Sequence, residues 1–196
     1  FTAFLWSFTV KEPQDAPQSQ KQLEALLPVL KRPVVSAFFC IEFIMLFAQA
    51  PFYSFYSNYL KANGFSTTSI GFLWSVGVIA EIIMFAYATF FLKILSWRVL
   101  VSICLLMTGL RFIIAGSFPN SFSAQFLSQT MHAFSFGLFH MIAMRIIFQN
   151  FTAGQQGRGQ ALYSTMWGLG VASGSLLAGH YWQSLGGEMI FILAGC

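Results

Sequence analysis

Long apolar runs alternate with short polar breaks along most of the chain, and each run has about the length of a membrane-spanning helix. Such a helix needs about 20 mostly apolar residues. Suitable stretches lie near residues 34–60, 69–93, 98–117, 121–148 and 159–182, and another runs from 188 to the last residue, 196. Turn-forming pairs such as Asn63-Gly64 and Gly186-Gly187 separate them. The pattern predicts five spanning helices and a truncated sixth.

The first 33 residues differ from this pattern. Residues 1–10 are apolar but lack the basic flank and cleavage site of a signal peptide, so we interpret them as the end of a preceding helix. Residues 11–33 are rich in Pro, Gln and mixed charge, which is typical of a solvated connector. Because the sequence begins without Met and ends in an apolar run, we expect it to be part of a longer chain.

Composition indicates a membrane protein. The chain is 57% hydrophobic and 8% charged, whereas soluble domains carry about 25% charged residues. The excess apolar surface must face a lipid bilayer, which excludes a cytosolic enzyme, a secreted disulfide scaffold and a nucleic-acid-binding module. The three Cys lie in apolar runs without metal-ligand spacing, and there is no nucleophile elbow or P-loop. We therefore expect no metal, no cofactor and no catalytic residue.

Basic residues between the helices predict the orientation. Seven of the ten Lys and Arg lie on the side of the connector, whereas Lys61 alone lies in a loop on the other side. The positive-inside rule places the connector in the cytoplasm, and we expect a bacterial inner membrane. A connector followed by six helices, residues 34–196, is the plan of the C-terminal half of a twelve-helix transporter. Other all-α, polytopic carriers and sensors share this topology.

Ionisable residues inside the predicted helices are candidates for function, because each costs at least ~2.5 kcal/mol in the bilayer. Glu81 lies about 12 residues into the second helix, and Arg111 lies about 13 residues into the third, which enters from the opposite side. Both are therefore expected near the middle of the membrane and close to one another. They either take part in transport or form a structural ion pair.

Polar stripes on two other helices indicate that the bundle surrounds an aqueous cavity. His132 and His140 are eight residues apart and are expected to share a face of the fourth helix. There they either take part in proton coupling or substrate binding, or form hydrogen bonds to neighbouring helices. The stripe on that helix contains Gln125, Gln129, His132, Phe136 and His140. The stripe on the first helix contains Glu42, Gln49, Tyr53 and Tyr56.

Small residues mark one face of the fifth helix. Gly170 and Gly174 have the GxxxG spacing that lets two helices approach closely, and Ala178 extends it by one more turn. We predict that a neighbouring helix packs against this face. A rocking transporter needs such a face, and a static bundle can also use one.

Several segments resemble the phenylpropionate permease group of the major facilitator superfamily. Residues 52–60, 64–66 and 70–81 (FYSFYSNYL, GFS and IGFLWSVGVIAE) are similar to the seventh and eighth helices of that group. HMIAMR at 140–145 and QALYS at 160–164 look like the tenth and eleventh helices. Gln49 departs from the group, where a His is expected at that position, and residues 92–100 keep only the basic residues of the superfamily's loop motif.

The resemblance implies a secondary carrier with alternating access between two six-helix halves. The missing N-terminal half and the lipid bilayer would then be partners of this chain. In the similar lactose permease, carboxylates, an Arg and a His couple proton and substrate. The matching positions here are Glu81, Arg111 and one His of the fourth helix.

We therefore hypothesise that a small organic acid, aromatic in character, enters with a proton and uses the proton gradient as its energy source. Arg111 would bind the carboxylate as a bidentate fork, and Glu81 would take the proton, relayed by His132. We place His140 with these coupling residues. The remaining candidate substrate contacts are Gln49, Tyr53, Tyr56, Trp74 and Gln129.

Two alternatives remain open at this stage. A symporter of neutral sugars or nucleosides would use the same Glu and Arg as hydrogen-bonding groups. A membrane scaffold or sensor without transport would keep the helices, and Glu81 would then matter only for assembly.

Overall fold

The computed structural model describes residues 25–196, so the interpretation of residues 1–10 and of most of the connector lies outside the described part. The described chain is helical, without a strand in this range. Its elements are α1 (Leu27–Leu30), α2 (Pro33–Ala62), α3 (Thr67–Ile94), α4 (Trp97–Ser117), α5 (Phe122–His132), a π-helical segment (Ala133–Leu138), α6 (Phe139–Asn150) and α7 (Gln156–Gly195).

Four helical segments are long and apolar enough to cross a membrane. They are α2, α3, α4 and the continuous rod from Phe122 to Asn150 that joins α5, the π-helical segment and α6. The prediction of an all-α, multi-pass membrane protein is confirmed. Helix α7 is 40 residues long but rich in Gly, Ser and Gln, and is not among these four segments.

Helix α7 contains the predicted break between the last two helices as a kink. The backbone leaves helical geometry at Gly186, with φ 78° and ψ 158°. Such positive φ is readily adopted by glycine because it has no Cβ atom. Residues 156–185 and 187–195 therefore form two arms of α7, both of which contact α2, and the second arm also packs on α4.

Three of the long helices begin at a serine that caps the first turn. A serine hydroxyl accepts a hydrogen bond from a free backbone N–H of that turn and so favours a helix start at that position. The capping pairs are Ser66 with Ser69 N at 3.1 Å, Ser96 with Val99 N at 3.4 Å, and Ser121 with Ala124 N at 3.4 Å.

The π-helical segment aligns the two histidines of the central rod. On a regular α-helix, residues eight apart point about 80° away from one another. The i→i+5 bonding of a π-helix widens the turn and reduces this rotation. The rings of His132 and Phe136 stack with centroids 5.6 Å apart, and those of Phe136 and His140 stack 6.3 Å apart. Both imidazoles therefore lie on one face of the rod.

The small-residue face of α7 packs against α2 at backbone distance. A Cβ atom on Gly174 would lie 2.3 Å from the carbonyl oxygen of Phe47 and 2.6 Å from Ala50 Cβ. A Cβ on Gly170 would also be too close to the α2 backbone, and Ala178 is buried. The GxxxG spacing thus lies where the two helices touch.

A second close contact, which the sequence analysis missed, joins α4 to the second arm of α7. A Cβ atom on Gly109 would lie 2.7 Å from the Gly195 oxygen, and one on Gly116 would lie 2.6 Å from the Glu188 oxygen. These two glycines are seven residues apart, or about two helical turns, on one face of α4. That spacing is the signal by which the contact could have been predicted.

We call the end of the bundle at which α2, α4 and α7 begin the connector end. There, Arg32 Nη1 donates to the Asn150 oxygen at 2.9 Å, and Arg145 Nη1 donates to the Leu92 oxygen. The two arginines therefore tie the end of α6 to the start of α2 and to the end of α3.

Candidate functional site

Arg111 lies at the centre of the candidate site and is fully buried. Its Nη1 donates to His132 Nδ1 at 2.6 Å and to Ser135 Oγ at 3.1 Å. Its guanidinium carbon also lies 4.3 Å from the ring centroid of Phe52 and 4.5 Å from that of Phe112, which stabilises the charge by cation–π contact. Nε and Nη2 have no hydrogen-bond partner among the described residues, so part of the donor fork is unused.

His132 lies between Arg111 and Glu81. Because a guanidinium can only donate, Nδ1 of His132 must accept, and the neutral ring then carries its proton on Nε2. This nitrogen lies 3.9 Å from Glu81 Oε2, which is within ion-pair reach but longer than a hydrogen bond. Glu81 and Arg111, which were expected to lie close together, are thus connected through an imidazole, with no ion pair between them in the part of the chain described here.

The polar stripe of α2 borders this line of three residues. Gln49 Nε2 donates to the Ser135 oxygen at 3.2 Å, which joins α2 to the π-helical segment. The other amide atom of Gln49 and the hydroxyl of Tyr53 are buried, and neither has a partner within residues 25–196. These atoms are free to bind another polar group.

Tyr56 is instead part of a closed hydrogen-bond network. Its hydroxyl donates to Gln125 Oε1 at 3.1 Å, and Gln125 Nε2 donates to the Ala115 oxygen at 3.0 Å. The Tyr59 hydroxyl donates to the same Ala115 oxygen at 2.9 Å. The network joins α2, α4 and α5 and indicates a structural role for the Tyr56 hydroxyl.

We expect Tyr56→Phe to lower the stability of the full-length protein by about 1 kcal/mol, the usual contribution of one hydrogen bond. Tyr53→Phe is the matched control, because its hydroxyl has no hydrogen-bond partner among residues 25–196. Unfolding in detergent measures the difference. Equal stability of the two variants would contradict the structural role of Tyr56.

Trp74 and Gln129 complete the predicted set. The Trp74 indole Nε1 donates to Ser57 Oγ at 2.9 Å, and its ring centroid lies 4.8 Å from that of Phe52. Both amide atoms of Gln129 are buried without a partner among the described residues. Gly77 provides the space for this amide, since a Cβ there would lie 2.7 Å from Gln129 Oε1.

His140 belongs to a separate group nearer the connector end. Its Nδ1 lies 3.1 Å from the hydroxyl of Tyr163 on α7. Both residues line a cavity of about 280 Å³ that also contacts Trp167, Gln160 and Ser164. The structure therefore divides the predicted coupling residues into two groups, Glu81 with His132 and, separately, His140.

Other features of the bundle are less suited to an acid. A cavity of about 380 Å³ between α2 and α7 has an almost entirely apolar lining that includes Phe47, Leu177 and Ile190.

Within residues 25–196, no group of three or more His, Cys, Asp and Glu is arranged to hold a metal ion.

Sequence reasoning missed three contacts of Arg111, namely Phe52, Phe112 and Ser135. In the sequence, Phe52 is one of several aromatic residues in the run 52–60, and Ser135 is one of many small polar residues in the helices, so nothing distinguishes either of them. Their roles depend on which way each helix is rotated, which the sequence does not display.

Comparisons with known proteins agree with one another. A model of the family described as "MFS_1 like family" matches residues 3–193. Over 152 residues the chain is 32% identical to an Escherichia coli (strain K12) protein described as "Probable 3-phenylpropionic acid transporter". The match covers 75% of this chain and 38% of that relative, so the chain spans well under half of the relative's length. No solved structure matches the chain significantly.

Proposed function

Since this chain belongs to the MFS_1 like family, as a phenylpropionate permease-like member of the major facilitator superfamily, we propose that the full-length protein carries a small aromatic carboxylic acid across the membrane together with a proton. The resemblance found in the sequence is confirmed at the level of the family. The substrate class is suggested by the name of the Escherichia coli relative. We place the protein in a bacterial inner membrane with its connector in the cytoplasm.

The observation that carries this proposal is the line from Glu81 through His132 to Arg111. It joins a carboxyl group, an imidazole and a guanidinium whose Nε and Nη2 are unused. Charged groups at this depth are rare and usually belong to substrate or ion pathways. The planar fork of Arg111 suits a carboxylate, and the adjacent rings of Phe52 and Trp74 suit an aromatic substituent.

In the proposed cycle, the substrate carboxylate competes with His132 for Arg111. The Arg111–His132 hydrogen bond requires an unprotonated Nδ1, so a proton that arrives on this nitrogen ends the bond. Arg111 Nη1 is then free to bind the substrate. The Nε2 proton of this imidazolium passes to the facing carboxylate of Glu81, which leaves a neutral ring with its proton on Nδ1 and Glu81 as the acid that holds the coupling proton. Proton and substrate binding are thereby linked.

During alternating access, the contact between α2 and α7 would hold the C-terminal half together. At Gly170 and Gly174 the two helices touch through backbone atoms, without long side chains that interlock. Both helices belong to the same half, so a contact this close favours movement of that half as one body against the other half, as rocking requires. The half of the protein that precedes this chain and the surrounding lipid would be the other partners.

Glu81→Gln tests the proton coupling. We expect uptake of labelled 3-phenylpropionic acid driven by an inward proton gradient to fall at least about tenfold, because a proton-transfer group typically contributes 10²–10⁴-fold. The measurement uses energised vesicles that contain the full-length protein at equal membrane levels. Glu188→Gln is the matched control, since Glu188 is exposed near the kink of α7.

Two outcomes would overturn the proposal. Uptake that is indifferent to both the gradient and Glu81→Gln would make Glu81 a structural residue. Uptake of a labelled sugar or nucleoside, with no competition from the acid, would favour a carrier of neutral solutes.

A further inference from the structure

Glu42 is a buried carboxyl group without a visible partner. Its side chain on α2 is fully buried, and neither Oε1 nor Oε2 has a hydrogen-bond or ion-pair partner among the described residues. An unpaired carboxylate is very costly in a low-dielectric interior, whereas the neutral acid is much less so. In this arrangement Glu42 is therefore expected to hold a proton.

The residues around Glu42 can also bind protons or pass them on. Tyr163 on α7 packs against the core cluster that contains Phe39 and Met45, which lie three residues before and after Glu42 on α2. Its hydroxyl is within electrostatic range of the Glu42 carboxyl. That hydroxyl is hydrogen-bonded to His140 Nδ1 on α6. Three helices thus bring a carboxyl, a phenol and an imidazole together, and we call these residues the lower group.

The lower group lies nearer the connector end than the line of Glu81, His132 and Arg111. With a rise of 1.5 Å per residue, Glu42 lies about 14 Å into α2, Tyr163 about 10 Å into α7 and His140 about 15 Å from the end of α6. The same count places Glu81 about 20 Å and Arg111 about 21 Å from that end. The two groups therefore occupy different levels of the membrane.

Polar atoms on α2 connect these levels. Gln49 lies two turns beyond Glu42 on the same stripe, and one of its amide atoms bonds the Ser135 oxygen, while the Ser135 hydroxyl accepts from Arg111. Tyr53, one turn further, is close enough to interact electrostatically with Glu81, Arg111 and Tyr163. By the same count Gln49 lies about 24 Å and Tyr53 about 30 Å into α2, so the unpartnered Gln49 Oε1 and Tyr53 hydroxyl border the group of Glu81, His132 and Arg111, where they can bind water.

The lower group also has a route towards the surface. The cavity of about 280 Å³ that contains His140 and Tyr163 is bordered by Gln160 and Ser164, both of which are exposed. A cavity of this size and polarity can hold water.

We propose that Glu42, together with Tyr163 and His140, forms a second proton site that accepts the coupling proton from the level of Glu81 and releases it towards the connector end. This inference rests on the proposed symport. Since Glu42 is the acid in this arrangement, release comes first: Glu42 gives its proton by way of Tyr163 and His140, each of which passes one proton on as it receives another, to water in the cavity and becomes a carboxylate. Glu81 then loses its proton and becomes a carboxylate, and the Glu42 carboxylate takes that proton and is again the acid.

The first test separates exchange from net transport in the full-length protein. Glu42→Gln resembles the protonated residue and should leave exchange of labelled for unlabelled 3-phenylpropionic acid within about twofold of wild type, because exchange needs no proton release. Accumulation driven by the proton gradient should fall at least about tenfold. Glu188→Gln is the control. Accumulation by Glu42→Gln at the wild-type level would overturn the proposal.

Tyr163→Phe provides a second variant that keeps the ring and removes only the hydroxyl bonded to His140. It should slow accumulation and spare exchange, as Glu42→Gln does. If it instead weakens both to the same extent, Tyr163 is a substrate contact and the lower group as proposed is wrong.

Infrared spectroscopy of the purified full-length protein tests the site without any substrate. The wild-type spectrum should contain the C=O band of a protonated carboxylic acid that is lost in Glu42→Gln and retained in Glu81→Gln. A band unchanged by Glu42→Gln would overturn the second proton site. Absence of both uptake and exchange in wild type would instead contradict the proposed function, and the infrared result would still decide the state of Glu42.

Discussion

Arg111→Lys is expected to lower the uptake of 3-phenylpropionic acid by at least about 100-fold. Lys keeps the positive charge but loses the planar fork, whose unpartnered Nε and Nη2 leave it able to donate two hydrogen bonds to the substrate carboxylate. Each hydrogen bond of a charged group contributes about 1.5–3 kcal/mol, and about 1.4 kcal/mol corresponds to a factor of ten. The loss of two such bonds therefore accounts for the expected decrease.

The measurement is the initial rate of gradient-driven uptake in vesicles with equal amounts of each variant. Arg98→Lys is the matched control because Arg98 is exposed at the start of α4, and it should leave uptake unchanged. Near-normal uptake by Arg111→Lys would show that charge alone is sufficient and that the fork does not bind the carboxylate.

Gly174→Ala is expected to have the largest effect on stability among substitutions of this size in α7. The added methyl group would lie 2.3 Å from the Phe47 oxygen and 2.6 Å from Ala50 Cβ, both of which belong to the rigid core of the α2 contact. Overpacking of this kind typically costs 1–3 kcal/mol, and a backbone atom cannot move aside as a side chain can. We expect a loss of about 3 kcal/mol.

Gly168→Ala, on the same helix, is the matched control, since a Cβ there would meet nothing within 4 Å among the described residues outside its own turn of helix. It should be neutral or slightly stabilising, because alanine favours a helix by about 1 kcal/mol relative to glycine. Unfolding of the full-length protein in detergent gives both values. Similar stability of Gly174→Ala and Gly168→Ala would mean that α2 and α7 do not touch in the membrane as they do here.

The two levels of titratable groups suggest how the proposals depend on one another. Loss of Arg111 should impair substrate binding and therefore both exchange and accumulation. Loss of the Glu42 carboxyl should impair accumulation alone. This difference separates a substrate site from a proton-release site within one set of vesicle experiments.

The membrane class and the family could be predicted from the sequence because both depend on local information. The length of an apolar run, about 20 residues, matches the thickness of the bilayer. The motif at residues 70–81 is shared with the phenylpropionate permease group and so indicates the family. The family comparison confirms the resemblance. The depth of Glu81 and Arg111 also followed from counting residues along each helix, since the rise per residue is constant.

The partners of these charges could not be predicted in the same way. The sequence placed Glu81 next to Arg111, whereas in the folded chain His132 lies between them. The sequence analysis placed His140 and His132 together as coupling residues. In the structure, His140 is hydrogen-bonded to Tyr163 of α7 and belongs to a separate group. Counting gives the height of a residue in the membrane but not the direction in which its side chain points.

The sequence by itself determined that the chain is a helical membrane protein, which family it belongs to, and how far along each helix its charged residues lie. Only the tertiary structure decided that the π-helical segment aligns two histidines, that α2 touches α7 through Gly174, and that Glu42 is left without a partner. The physical reason is that apolar length and charge cost act on each helix separately. Side-chain contacts depend on the rotation and spacing of neighbouring helices, which the packing of the whole bundle determines.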